Sequence, residues 1–160
     1  MKFRMMLSLC LTLLSFSLPA FADRSLHCMA QNVYFEAASE SFVGQIAVAQ
    51  VVMNRVESKH FPNNPCDVIF EGPSYISNRG NILPIKHRCQ FSWYCDGKAE
   101  SITDRLAWDK AVNVAMRVLL RTLPDITEGS LWYHSTTVNP YWANSKTKVT
   151  QIDNHLFYSP

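Results

Sequence analysis

An almost wholly apolar run, Met5 to Leu18, opens the hydrophobic pattern of this chain. It follows Lys2 and Arg4 and ends at Pro19-Ala20-Phe21-Ala22. A positive start, an apolar stretch shorter than the ~20 residues that cross a bilayer and a small-x-small end predict an export signal over 1–22. No second long apolar run follows, and the pattern changes to helical and strand periods. Ser25 to Ser39 predicts a helix with Met29, Val33, Glu36, Ala37 and Glu40 on one face. Gly44 to Arg55 is apolar nearly all round, from Ile46 to Met53, as in a buried central helix. A short helical turn is expected over 67–70, ended by Gly72-Pro73.

The middle of the chain reads as strands and turns. Tyr75-Ile76 and Ile82-Leu83 flank a turn at Asn78-Arg79-Gly80-Asn81. Gln90 to Tyr94 looks strand-like, closed by Asp96-Gly97. Thr103 is placed to cap a third long helix, with Ala107, Trp108, Ala111, Val114, Ala115, Val118 and Leu119 inward and Pro124 as its stop. In the tail, Leu131-Trp132-Tyr133 and Leu156-Phe157-Tyr158 are aromatic segments separated by polar stretches. The sum is an α+β domain, mainly helical with a small antiparallel β element.

Removal of 1–22 from the 160 residues leaves 138, one domain over 23–160. The 15 basic residues lose Lys2 and Arg4 with the leader, so 13 basic face 13 acidic ones. That balance gives no electrostatic ground for nucleic acid as a partner. Of the five cysteines, Cys10 leaves with the leader and Cys28, Cys66, Cys89 and Cys95 remain. Four cysteines in a small exported domain predict two disulfides, with three pairings open. No C-x-x-C pair is present, so the spacing of a zinc site is missing and no metal or other cofactor is expected.

Glu36 carries the chemistry. A carboxyl on the stripe that also holds Met29 and Val33 is partly desolvated, which favours the protonated form, and Glu40 one turn on adds like-charge repulsion. A carboxyl protonated near neutral pH can act as a general acid. Periodicity alone fits a solvated carboxylate, or one paired with Arg55, better than a catalytic acid.

The surrounding strings decide between these. Ala30-Gln31-Asn32-Val33-Tyr34-Phe35-Glu36-Ala37-Ala38-Ser39-Glu40 precedes Val43-Gly44-Gln45-Ile46-Ala47-Val48-Ala49-Gln50-Val51-Val52-Met53-Asn54-Arg55-Val56. Phe61-Pro62, Cys66-Asp67-Val68-Ile69, Cys89-Gln90-Phe91-Ser92-Trp93-Tyr94-Cys95-Asp96-Gly97, Trp132-Tyr133-His134, Pro140-Tyr141-Trp142-Ala143 and His155-Leu156-Phe157-Tyr158 follow in order. Together they resemble the spore-cortex-lytic type of cell wall hydrolase over nearly the whole predicted domain. The resemblance implies a lysozyme-like, lytic-transglycosylase-like domain that cuts peptidoglycan between N-acetylmuramic acid and N-acetylglucosamine. It places the family's catalytic glutamate, in Tyr-x-Glu-Ala, on Glu36. Two departures stand out: Glu36-Ala37-Ala38-Ser39-Glu40 where the family often has Glu-Ala-Arg-Gly-Glu, and Asp153-Asn154-His155 where a Gly is common.

No second carboxylate is singled out, with Glu71, Asp96 and Asp153 all in loops, so a one-acid mechanism is expected rather than the usual carboxyl pair. Expected glycan contacts are Gln90, Phe91, Ser92, Trp93, Tyr133, His134 and Trp142, aromatic platforms beside polar donors. About half of these aromatics are expected to be core instead, since aromatics dominate cores. The expected protein is exported, periplasmic or extracellular, monomeric, and not inserted in the membrane once the leader is cut. Its expected partner is peptidoglycan. The competing reading is a non-catalytic glycan-binding module, which would tolerate Glu36→Gln.

Overall fold

A computed structural model describes the backbone of residues 18–160, with side chains from Asp23 onward. The expected leader over 1–22 therefore lies, except for the backbone of its last residues, outside what is described. The first helix, α1 (Leu18–Ala37), begins earlier and ends sooner than its pattern predicts. Glu40 thus falls beyond the helix, in the bend before α2 (Phe42–Glu57). Ser41 caps α2, its hydroxyl accepting from the Gly44 amide at 3.2 Å. The buried run of α2 matches the apolar pattern, Gly44 to Val52 all being inside. The short α3 (Pro65–Ile69) starts where Asn64 accepts from the amides of Cys66 and Asp67, with Pro65 in its first turn.

The amphipathic α4 (Arg105–Leu119) buries Ala111, Val114, Ala115 and Val118 against α1 and α2, as its period predicts. Its cap is Asp104, which accepts from the Ala107 amide at 3.0 Å, and not Thr103. The amides of Thr103 and Asp104 are instead held by the Tyr34 hydroxyl on α1. The helix stops before Pro124, because Arg121 takes φ 53° and the chain turns there. The core runs through Met29, Ala30, Val33, Val52, Val68, Ile69 and Val114, all with no exposed surface. The disulfide Cys28–Cys66 ties α1 to α3 inside this core.

The second half is thinner. Strands β1 (Ser74–Ile76) and β2 (Ile82–Pro84) form an exposed hairpin at the expected place. Gln90 to Tyr94 is not a strand. The Cys89–Cys95 disulfide closes a short loop in which Ser92–Cys95 makes a 3₁₀ turn. That closure leaves no extended partner for a ladder, which is why the aromatic pattern misled. The two aromatic tail segments become β3 (Trp132–Ser135) and β5 (His155–Ser159). A polar strand unseen in the pattern, β4 (Thr147–Ile152), completes the antiparallel order β3-β5-β4. Between β3 and β4 lies a second 3₁₀ turn, Tyr141–Ser145.

The Asp153-Asn154 turn joins β4 to β5 and docks on the start of α2. Asp153 has φ 49° and its carboxylate accepts from the Ser41 amide at 2.9 Å. The Asn154 amide and side chain donate to Glu40 at 3.2 Å. Gly44 is required here, since a Cβ would overlap the Asp153 side chain.

Candidate active site

Glu36 sits in the last turn of α1, half-buried, between the buried Ala37 and Val33. Two elements meet it. From β3, the Tyr133 hydroxyl donates to Glu36 Oε2 at 3.1 Å. From α2, the buried guanidinium of Arg55 attracts its charge. Burial outweighs both and holds the Glu36 carboxyl above the usual carboxylate range. Its place at a helix C-terminus, where the helix dipole disfavours a negative charge, works in the same direction. Glu40 is not among the causes, because it has left the helix and is engaged by Asn154. The expected repulsion between these two carboxylates is therefore replaced by desolvation alone.

Tyr133 remains a phenol. Burial and the neighbouring Glu36 charge push its hydroxyl well above the ordinary tyrosine value, so it stays a donor. Its ring packs on Phe157 at 5.7 Å and meets His155 edge-on at 5.2 Å, which fixes its direction. His155 is held below the ordinary histidine value by burial.

Arg55 donates from Nε to the Leu131 carbonyl at 2.8 Å, anchoring the approach to β3. Phe61 and Phe91 each lie 5.2 Å from its guanidinium carbon. Among the described residues, the ion pairs are Lys98–Asp96, Arg105–Asp109 and Arg121–Glu57, so Arg55 and Glu36 do not form one.

The expected glycan contacts separate into two groups. Gln90 and Trp142 come together in the wall of a cavity of about 590 Å³, with Glu71, Pro73 and Arg88. Ser92 is exposed beside it in sequence, in the 3₁₀ turn. Phe91, at 2% exposed, is core and covers Arg55. Trp93 is buried too, its indole N–H donating to the fully buried Asn32 at 3.0 Å, with Phe35 stacked at 4.9 Å. His134 is buried on the other face of β3 from Tyr133, both ring nitrogens engaged by Ser135 O and Tyr158 Oη at 2.9 Å. Phe91 thus belongs to the core, and Trp93 and His134 are largely buried with their polar atoms engaged, although Trp93 also lines a second cavity with Phe35 and Glu100. Sequence periodicity could not find this, because the disulfide loop has none and alternation along β3 leaves open which face is the cleft.

Sequence reasoning missed that Arg88 and Glu71 line the same cavity as Gln90 and Trp142. The four cysteines form the two bridges Cys28–Cys66 and Cys89–Cys95, and no cluster of His, Cys, Asp or Glu able to hold a metal occurs among the described residues. No helix of the described residues is long and apolar enough to cross a membrane.

A family described as Cell Wall Hydrolase matches residues 39–158, beginning just after Glu36. The spore cortex-lytic enzyme of Bacillus subtilis is 45% identical over 138 residues, 86% of this chain and 38% of that protein. That of Halalkalibacterium halodurans is 32% identical over 140 residues, 86% of this chain and 35% of that protein. The chain thus spans little more than a third of the length of these relatives. Among solved structures, the catalytic domain of the germination-specific lytic transglycosylase SleB of Bacillus anthracis matches with a TM-score of 0.61 at 29% identity. It covers 84% of this chain and 93% of that one. The catalytic domain of Bacillus cereus SleB matches with a TM-score of 0.59 at 27% identity, over 86% of this chain and 91% of that one. The fold is lysozyme-like, helical with small antiparallel sheets.

Proposed function

This chain belongs to the cell wall hydrolase family, and from that membership we propose that it cleaves peptidoglycan glycan strands between N-acetylmuramic acid and N-acetylglucosamine as a lytic transglycosylase. The observation that carries the reading is the desolvated Glu36, oriented by the Tyr133 hydroxyl at 3.1 Å and held above the usual carboxylate range. In this mechanism the Glu36 carboxylic acid gives its proton to the glycosidic oxygen. The bond from that oxygen to muramic C1 breaks, and the neighbouring sugar leaves as an alcohol. The Glu36 carboxylate then takes the proton of the muramic C6 hydroxyl, whose oxygen closes on C1. The acid is regenerated and no water is consumed.

Support for one acid rather than two comes from the other carboxylates. Glu40 is occupied by Asn154, Asp153 by the Ser41 amide, and Asp96 by the Lys98 amide. Each of these three is a fixed acceptor in the frame, unlike the base or nucleophile of a two-carboxylate hydrolase, whereas Glu71 lies in the cavity wall with Oε2 unpartnered and is the remaining candidate for a second carboxylate. Gln90, Trp142 and the cavity they line are the proposed sugar-binding wall.

Mass spectrometry of muropeptides released from purified sacculi tests this reading. Products ending in 1,6-anhydro-muramic acid are expected, lighter by one water than the reducing ends a hydrolase leaves. Borohydride-reducible muramic ends throughout would reject the one-acid mechanism. The export signal expected over 1–22 supports a site of action outside the cytoplasm. Protein recovered from its native host is expected to begin at Asp23, and Met1 at its start would refute export by this route.

A further inference from the structure

The 590 Å³ cavity is built where two segments run side by side. The Gln90 amide donates to the Glu71 carbonyl at 2.9 Å, and the Ile85 amide to the Pro73 carbonyl at 2.8 Å. Between these bonds Gly72 lies so close to Cys89 that a Cβ on it would come within 3.0 Å of Cys89 Cα. The Cys89–Cys95 bridge closes the second segment into its loop. Glu71 and Arg88 are thus presented to one cavity from two adjoining backbones.

Neither charge is neutralised within the protein. The ion pairs among the described residues include neither Glu71 nor Arg88. Glu71 Oε2 is buried without a hydrogen-bond partner, while the residue as a whole is half-buried and borders the cavity. A carboxylate partly withdrawn from water and left unmatched attracts a cation more strongly than a solvated one. The Arg88 side chain is exposed, and its planar guanidinium suits a carboxylate.

The rest of the wall suits a sugar. Gln90 supplies an amide, and Trp142 a ring braced edge-on by His134 and Tyr158 at 5.5 and 5.6 Å. A strand of N-acetylmuramic acid and N-acetylglucosamine offers only hydroxyls and amides where its lactyl groups carry peptide. The charges of the polymer then lie on its peptide stems. A diaminopimelate residue in a stem ends in a free ammonium and a free carboxylate on one carbon. That end matches an unpaired carboxylate beside an unpaired guanidinium.

We propose that this cavity is a stem-peptide subsite, in which Glu71 takes the ammonium and Arg88 the carboxylate of a zwitterionic amino-acid end, beside a sugar held by Gln90 and Trp142. The inference rests on the reading of the chain as a peptidoglycan-cleaving enzyme. It makes the substrate a muramic residue that carries peptide rather than a bare glycan strand. It also gives Glu71 a binding role in place of that of a second catalytic carboxylate.

The test uses the whole chain from Asp23 and three uncrosslinked glycans: strands with diaminopimelate stems, strands with lysine stems, and strands stripped of stems by an amidase. Lysine ends in an ammonium without the carboxylate. Wild type is expected to prefer the diaminopimelate strands to the stripped ones by about tenfold or more in kcat/KM, as for charge-assisted hydrogen bonds. Arg88→Gln is expected to lower that preference about tenfold, through KM rather than kcat, and to leave the ratio of lysine to stripped strands as in wild type. Glu71→Gln is expected to lower the preference for both kinds of stem. Equal loss on all three glycans in Glu71→Gln would make Glu71 part of the chemistry and overturn the proposal, as would a wild type without preference. Should Glu71→Gln not fold, Arg88→Gln, at an exposed position, decides by the same ratios. Binding of the free tripeptide L-alanyl-γ-D-glutamyl-diaminopimelate, followed by the Trp142 indole N–H signal in NMR, needs no glycosidic bond. Binding that Arg88→Gln weakens about tenfold supports the subsite even in a chain that turns over no glycan, which would sink the proposed reaction alone. No binding at millimolar peptide overturns the subsite and leaves the reaction standing.

Discussion

The helical half and the loop half of this domain solve different problems with the same device. In the helical half, Cys28–Cys66 spans 38 residues of sequence and lies in the core, 4% and 2% exposed. In the loop half, Cys89–Cys95 spans 6 residues, and Cys89 borders the 590 Å³ cavity. The first crosslink joins two helices that already pack on a common apolar surface. The second shapes a segment with little core of its own, folding Phe91 under and leaving Gln90 in the cleft wall. Most of the buried core belongs to the first region and the 590 Å³ cavity to the second, while Glu36, at the end of α1, meets Tyr133 of β3 at the border between the two halves and does not itself line that cavity.

The largest expected effect falls on that border. Glu36→Gln keeps the shape but cannot give up a proton, and turnover is expected to fall at least ~10²–10⁴-fold. Its effect on stability has the opposite sign. Burial raises the Glu36 carboxyl in the folded state, so at acid pH, where it is protonated folded or unfolded, it carries no penalty. As pH rises through the unfolded value and then the folded one, ionising a buried group becomes progressively destabilising. Glu36→Gln is thus expected to raise the melting temperature at neutral pH and leave it unchanged at acid pH. Full activity in a folded Glu36→Gln variant would sink the comparison, since the border would then hold no chemistry.

The two bridges come next. Loop closure entropy gives about 4 kcal/mol for the Cys28–Cys66 span and about 2 kcal/mol for Cys89–Cys95. Paired Cys→Ala variants, melted under non-reducing conditions, are expected in that order. Activity measured well below each midpoint is expected in the reverse order, because only the second bridge borders the cavity. Equal loss of activity from both would show that the division between frame and cleft is not real.

Tyr133→Phe is the smallest and sharpens the border. It removes one hydrogen bond to Glu36, about 0.5–1.5 kcal/mol in ordinary cases, so turnover is expected to fall about 2–12-fold at the optimum. That bond favours the carboxylate, so its loss raises Glu36 further and moves the alkaline limb of the pH–rate profile upward. A downward shift would mean that the hydroxyl does not act on Glu36 as the geometry indicates.

Much of this was legible beforehand, for a common reason. The three long helices, the buried run of α2, the inward face of α4 and the tail strands β3 and β5 all follow from local period, which one segment carries by itself. Glu36 stood out for the same reason, as a carboxyl on an apolar stripe, and the surrounding strings resembled one family. The misses share a reason too. β4 is a polar edge strand that exists because β5 offers it a ladder. Gln90 to Tyr94 looked extended and is folded back by the disulfide. Asp104, not Thr103, caps α4, and Tyr34 on another helix binds the amides of both, a contact no local pattern shows.

By itself, then, the sequence determined the helices, the number of cysteines to be bridged and the carboxyl that carries the proposed chemistry. Only the tertiary structure decided the pairing of the bridges, which aromatics face the cleft, and that Tyr133 and Arg55 meet Glu36 from two other elements. Apolar period is a property of neighbours along the chain. Desolvation and hydrogen bonding of the Glu36 carboxyl depend on groups far apart in sequence, and exist only once packing brings them together.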